Sequence, residues 1–226
     1  MDAPPPHGYS HGRMIPERAQ TIAATSGVRL EAQVTVPPGA RAGVVVCHPH
    51  PLYGGDMDNP VVGVTTDACR GAGLATLRFN FRGVGGSTGS HDEGRGEQAD
   101  VVAALDHLSA LLPAGAPVAL AGYSFGAGMA AAIAAGGRAL GGLALVAPPL
   151  AFGSLDRLAM PAGLRGPLLV VAGSADEYCP LAALHRASRA LPGAEMRIIE
   201  GTDHFFTGAL EPLVEAVTAW ARRVGV

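Results

Sequence analysis

The chain has no lysine: all 16 cationic side chains among its 226 residues are arginine. That absence excludes a Schiff-base lysine, a P-loop lysine and a Ser–Lys dyad. Cysteine is scarce as well. Cys47, Cys69 and Cys179 are far apart and odd in number, so they form neither a C-x-x-C pair nor a disulfide framework. They read as small buried hydrophobes in a reducing compartment. Charged residues make up only 15%, with a net charge of −3 and no basic tract, which argues against a nucleic-acid partner. The opening M-D-A-P-P-P-H-G-Y-S-H-G-R lacks the apolar core of a secretory signal. Residues 114–137 carry no charge, but they are mostly Ala and Gly, a poor membrane span. The expectation is a cytoplasmic protein with no membrane partner.

What is present is apolar: 48% of residues are hydrophobic, enough for one α/β domain with a large core. Residues 1–17, rich in Pro, Gly and His, are expected to be a flexible segment, and 18–226 a single domain. V-R-L-E-A-Q-V-T-V at 28–36 alternates apolar and polar, as a half-exposed, antiparallel strand does. Beyond it, short apolar runs at 43–47, 74–79, 118–121, 143–147, 168–172 and 196–199 alternate with helical stretches at 60–70, 97–112, 127–136, 180–191 and 210–223. Strands alternating with helices imply a mostly parallel central sheet with helices on both faces. In such sheets, sites lie beyond the carboxyl ends of the strands.

The stretch P-V-A-L-A-G-Y-S-F-G-A-G-M-A-A-A-I-A-A-G at 117–136 reads as strand, sharp turn and helix. Within it, Gly122-Tyr123-Ser124-Phe125-Gly126 fits G-x-S-x-G, a turn that exposes a serine hydroxyl at a helix N-terminus. A second match, Gly85-Gly86-Ser87-Thr88-Gly89, is followed by polar, glycine-broken sequence and lacks the strand and helix that the motif requires. Ser124 is therefore the expected nucleophile.

A serine hydroxyl needs a base to take its proton and a third group to orient that base. The loop after the 168–172 strand carries Asp176, and the loop after the 196–199 strand carries His204. The order Ser124, Asp176, His204 is that of α/β hydrolases, and each residue falls just past a strand. Glu177 is a possible substitute acid, and Asp203 a weaker one. A tetrahedral oxyanion needs two donors. One is the N–H of Phe125; the other comes from residues 48–55, H-P-H-P-L-Y-G-G, where Pro49 and Pro51 have none. His50 is favoured there over Leu52 and Tyr53. A rival reading makes His48 and His50 metal ligands with Asp56 or Asp58.

From about Arg18 onward the chain resembles the α/β-hydrolase superfamily. More narrowly, H-P-H-P-L-Y-G-G-D-M-D-N at 48–59, R-F-N-F-R-G-V-G-G-S-T-G at 78–89 and G-T-D-H-F-F at 201–206 resemble small bacterial α/β hydrolases of poorly defined substrate. The resemblance implies Ser124 as nucleophile, Asp176 as acid and His204 as base. No cofactor is expected, and no metal, since the H-x-H pair at 48–50 is not followed by the further ligands a binuclear metallohydrolase would show. It also implies that the segment around Ser87 is a structural loop whose backbone Arg82 anchors. Dienelactone hydrolases use cysteine and haloalkane dehalogenases aspartate where this chain has serine. Residues 148–165 are too few for a lid domain. The site should therefore be open and apolar, walled by Tyr53, Met57, Phe125, Leu150, Phe152, Tyr178 and Phe205. A small-molecule acyl substrate is expected, an ester or thioester. The alternatives are a serine peptidase or amidase, or an idle hydrolase fold used for binding.

The choice between the two serines has a direct test. Ser124→Ala should abolish hydrolysis of an activated ester while Ser87→Ala keeps most of it. Equal losses in two folded variants would mean the wrong turn had been chosen.

Overall fold

The computed structural model describes residues 15–152 and 162–226, so the expected flexible segment falls mainly outside them, as does part of the 148–165 stretch. Eight strands form one sheet: β1 (Arg18–Ala23), β2 (Arg29–Thr35), β3 (Gly43–Cys47), β4 (Ala75–Phe79), β5 (Val118–Tyr123), β6 (Leu143–Val146), β7 (Leu168–Gly173) and β8 (Glu195–Ile199). The helices are α1 (Pro60–Gly71), α2 (Arg95–Ala110), α3 (Phe125–Ala135), α4 (Leu181–Ala190) and α5 (Leu210–Ala221). Strand order is β1-β2-β4-β3-β5-β6-β7-β8. β2 runs antiparallel to both β1 and β4, and every other pairing is parallel. This is the α/β-hydrolase fold. No helix among the described residues is long and apolar enough to cross a membrane.

The central strands are apolar throughout because both of their faces are covered. Val45 and Cys47 face a core shared with α2, α3 and α4, whereas Val44 and Val46 face a second core shared with α1 and α5. Trp220 fills that second core, and its indole N–H donates to the Pro167 carbonyl at 3.0 Å. Only β1 was not expected from the sequence. In R-A-Q-T-I-A a single side chain, Ile22, is buried, so no alternation registers. Its neighbour in the chain, Glu17, belongs to the segment expected to be flexible, yet it is tethered. Arg78 on β4 donates to both its carboxylate oxygens, at 2.9 and 2.7 Å, and also to Met57 O and Asp58 Oδ1.

The chain lays β3 and β4 outward on one side, then returns to place β5 against β3 on the other. The crevice beyond β3 and β5 is thus the switch point where ligands bind in open α/β sheets.

The glycine-rich loop after β4 is structural around Ser87. Its hydroxyl donates to Asn80 O at 2.7 Å and accepts the Glu31 N–H at 2.9 Å. Arg82, expected to grip this loop's backbone, instead reaches α2. Its Nε and Nη2 donate to the two oxygens of Asp100, which is fully buried, at 3.0 and 2.7 Å. Gly96 makes that possible, since a Cβ there would sit 1.9 Å from Arg82 Nη1.

Ser87→Ala leaves a buried carbonyl and a backbone N–H without their partner, which should lower stability by about 1–3 kcal/mol. Urea unfolding checks this; an unchanged midpoint would show that water replaces the hydroxyl without loss.

Candidate active site

Ser124 lies between β5 and α3 with φ 53° and ψ −115°, a conformation non-glycine residues avoid. The turn is tight enough that side chains two residues to either side are impossible. A Cβ on Gly122 would be 2.2 Å from the Gly126 carbonyl oxygen. One on Gly126 would be 2.4 Å from Cys47 O and 2.7 Å from His48 O. The elbow therefore packs directly on the backbone leaving β3. Ser124 N–H donates to Val146 O at 2.9 Å, tying the turn to β6.

The three residues expected after strands meet at this turn. His204 Nε2 is 3.0 Å from Ser124 Oγ, and His204 Nδ1 is 2.9 and 3.0 Å from the Asp176 oxygens. Asp176 has no exposed side chain and accepts the backbone N–H groups of Tyr178 and Cys179 at 2.8 and 2.9 Å. A carboxylate held by this many donors is fixed in one orientation. It keeps the proton of His204 on Nδ1, leaving Nε2 to accept from the serine hydroxyl. Neither rival acid competes: Glu177 is exposed, and Asp203 Oδ1 caps the Phe205 and Thr207 N–H groups. The thiol of Cys179, beside Asp176, is pushed up to about 12 by burial and then by that carboxylate. It is no second nucleophile.

Phe125 N–H is the first of α3 and has no acceptor within the helix. The His50 N–H also makes no backbone hydrogen bond among the described residues. Both residues line the same cleft as Ser124 and His204. The imidazole of His50 accepts the Leu52 N–H on Nδ1 at 3.2 Å, closing the turn at Pro51–Tyr53. His48 is fully buried. Its Nδ1–H donates to Pro49 O at 2.6 Å, and its Nε2 accepts the Phe81 N–H at 3.0 Å. Both nitrogens are used, so His48 has no lone pair for the metal reading. No group of three His, Cys, Asp or Glu among the described residues is placed to hold a metal ion.

The cleft is about 650 Å³ and mostly apolar, with Tyr53, Tyr123, Phe125, Phe152, Tyr178 and Phe205 in its lining. Tyr53, Phe152 and Phe205 stand around it at 86%, 73% and 65% exposure, and Tyr178 packs 4.7 Å from the His204 ring. Two expected wall residues are elsewhere. Met57 is 4% exposed and outside the cleft lining, because Asn80 and Arg78 hold its backbone N–H and carbonyl and turn its side chain inward. Leu150 joins the core on the α2–α4 face. Sequence reading missed Tyr123, which lines the cleft and donates its hydroxyl to His204 O at 3.1 Å. Its place directly before Ser124 was the available signal.

A serine on a strained strand–helix turn, joined to a histidine and a buried aspartate beyond a parallel sheet, defines a hydrolase class, and the chain belongs to it. Residues 41–215 match the alpha/beta hydrolase domain family. The chain is 33% identical over 179 residues to the uncharacterized protein RP471 of Rickettsia prowazekii, covering 76% of this chain and 75% of that one. Among solved structures it resembles an alpha-beta serine hydrolase homologue from Coxiella burnetii, at 34% identity and TM-score 0.82. That match covers 92% of this chain and 99% of the other. It also resembles XC6422 from Xanthomonas campestris, an α/β serine hydrolase without a lid, at 33% and 0.80, covering 92% and 94%. Est1E from Butyrivibrio proteoclasticus, at 18% identity and TM-score 0.76 over 89% and 97% of the two chains, shares the fold.

His48 gives a pH prediction. Burial lowers its pKa from 6.5 to about 4. The unfolded chain therefore binds an extra proton between these values, so stability is intact above pH 6.5 and falls as pH drops toward 4. The loss from this residue alone is on the order of 3 kcal/mol. His48→Asn should be less stable than wild type at pH 7 but show a shallower decline from pH 6.5 to 4.5. Parallel declines in chemical denaturation would assign the acid sensitivity to other groups.

Proposed function

We propose that the protein is a metal-independent serine hydrolase that cleaves a carboxylic ester or thioester through an acyl-enzyme on Ser124. The observation that carries this reading is the unbroken line from Ser124 Oγ through His204 to Asp176, each contact at 2.9–3.0 Å. His204 takes the serine proton as Oγ attacks the carbonyl carbon. The oxyanion forms between the N–H groups of His50 and Phe125. Its collapse expels the alcohol or thiol, which receives the proton from His204. Water, deprotonated by the same imidazole, then attacks the acyl-enzyme and releases the acid and free Ser124.

The relatives described as serine hydrolases support the reaction class. The aromatic cleft supports a neutral, apolar acyl substrate. The proposal extends to a cytoplasmic enzyme acting on small molecules, with neither nucleic acid nor membrane as partner, on the ground of a sequence with net charge −3 and no basic tract. The narrower likeness of the H-P-H-P-x-x-G-G loop to small lidless bacterial hydrolases belongs to the same proposal.

Asp176→Asn should lower turnover of an activated ester by about 10²–10⁴-fold, since an amide cannot hold the required tautomer of His204. Glu177→Gln should change it little. The reverse ranking would move the acid role to Glu177. In the oxyanion loop, His50→Ala keeps the backbone donor and should retain measurable activity. His50→Pro deletes the donor and should cost about 10²–10³ in turnover. A folded His50→Pro with wild-type turnover would pass the role to Leu52 or Tyr53. Loss of activity with EDTA, restored by zinc, would overturn the metal-independent mechanism.

A further inference from the structure

Behind the cleft lies a second carboxylate–imidazole pair, outside the Ser124 triad. Glu97, in the first turn of α2, has no exposed side chain. Its Oε1 accepts the Asp92 N–H at 2.9 Å and its Oε2 the Gly94 N–H at 2.8 Å. These two bonds account for the turn into α2, but not for what else Glu97 touches. His91 Nδ1 lies 2.8 Å from Oε1, an ion-pair distance, although its N–H is not aligned for a hydrogen bond.

The side chain of His91 is 12% exposed and is not part of the cleft wall. Its ring lies against two others, with centroids 5.0 Å from His50 and 5.8 Å from Phe125; His50 and Phe125 are themselves 4.9 Å apart. His50 and Phe125 are the residues whose backbone N–H groups form the oxyanion hole in the reading above. They come from separate loops, after β3 and after β5, so the distance between the donors depends on what holds those loops together. At the side-chain level, that is a group of rings: Tyr53 lies 4.7 Å from His50 and Phe81 5.6 Å from Phe125, and His91, beside a buried carboxylate, is the ring that touches both His50 and Phe125.

We propose that His91, packed beside Glu97, is a positioning residue for the oxyanion hole: its ring keeps His50 against Phe125 so that both backbone N–H groups point at one site. The inference rests on the serine-hydrolase reading. A displaced donor is weakened rather than lost, so its effect should fall below the roughly 10²–10³ seen when a donor is removed. Because the donors act on the tetrahedral state, the loss should fall on kcat and leave KM nearly unchanged.

The test compares the purified wild-type chain with His91→Ala, His91→Phe and His91→Asn. It measures kcat and KM on p-nitrophenyl acetate, inhibition by a trifluoromethyl ketone, and thermal stability. His91→Ala should lose about 10–50-fold in kcat, with a matching loss of affinity for the ketone, whose tetrahedral adduct occupies the hole. His91→Phe restores the ring and should recover to within about three-fold of wild type. His91→Asn keeps a donor near Glu97 without the ring and should stay low. Wild-type kcat and ketone affinity in His91→Ala would overturn the proposal, as would losses that follow melting temperature across all three variants. If His91→Ala does not fold, equal turnover in the Phe and Asn variants overturns it. Wild type is first treated with a fluorophosphonate. Failure to label Ser124 would overturn the hydrolase reading itself, and the two failures are thus told apart.

Discussion

The site depends on a contact between two backbones. Gly126, at the start of α3, rests on the carbonyls of Cys47 and His48 with no room for a methyl group. β3 and β5 are neighbours with Cys47 opposite Gly122, so this contact sets the loop after β3 directly against the elbow. The strand pairing that builds the core thereby brings His50 and Phe125 to the cleft that Ser124 lines. The same device recurs farther along the sheet. A Cβ on Gly173 would be 2.0 Å from Thr202 O, and Ala175 N–H donates to that carbonyl at 3.0 Å. The loop carrying His204 lies on the loop carrying Asp176 through main-chain contacts, so side-chain chemistry is positioned by parts of the chain with little freedom to move.

Several buried polar groups around the site are satisfied by partners fixed in place. His48 donates from one nitrogen and accepts at the other, which only the neutral ring can do. Asp176 is an acceptor only, and its donors are fixed main-chain groups and His204. Arg82 and Asp100 neutralise each other under the glycine-rich loop, where removing either partner would strand a buried charge. Such groups narrow the number of ways the loops can close, beyond what apolar packing alone specifies.

The sequence made the alternation of strands and helices legible, because apolar runs of strand length are hard to mistake when turn residues bound them. It also made the meeting of Ser124, Asp176 and His204 legible, because each sits just past a strand of the same sheet. What it hid depended on contacts between distant segments. β1 has one buried side chain and exists through its ladder with β2. Met57 looked like a wall residue until Asn80 and Arg78, both from the β4 region, turned it inward. Arg82 sat in the right loop, but its partner on α2 could not be read from local pattern. Glu97 and His91 were passed over for the same reason: a charged helix start and a loop histidine are commonplace until both prove to be buried together.

Ser124 also sets stability against chemistry. Its φ of 53° is one that glycine adopts without penalty and serine adopts only under constraint, at a typical cost of about 1–3 kcal/mol. The scaffold would thus be more relaxed with glycine in place of its own nucleophile. Foldability alone gives no reason to place serine instead of glycine at this angle. On the proposed reading, this one dihedral angle is where the turn gives up stability for a reactive hydroxyl.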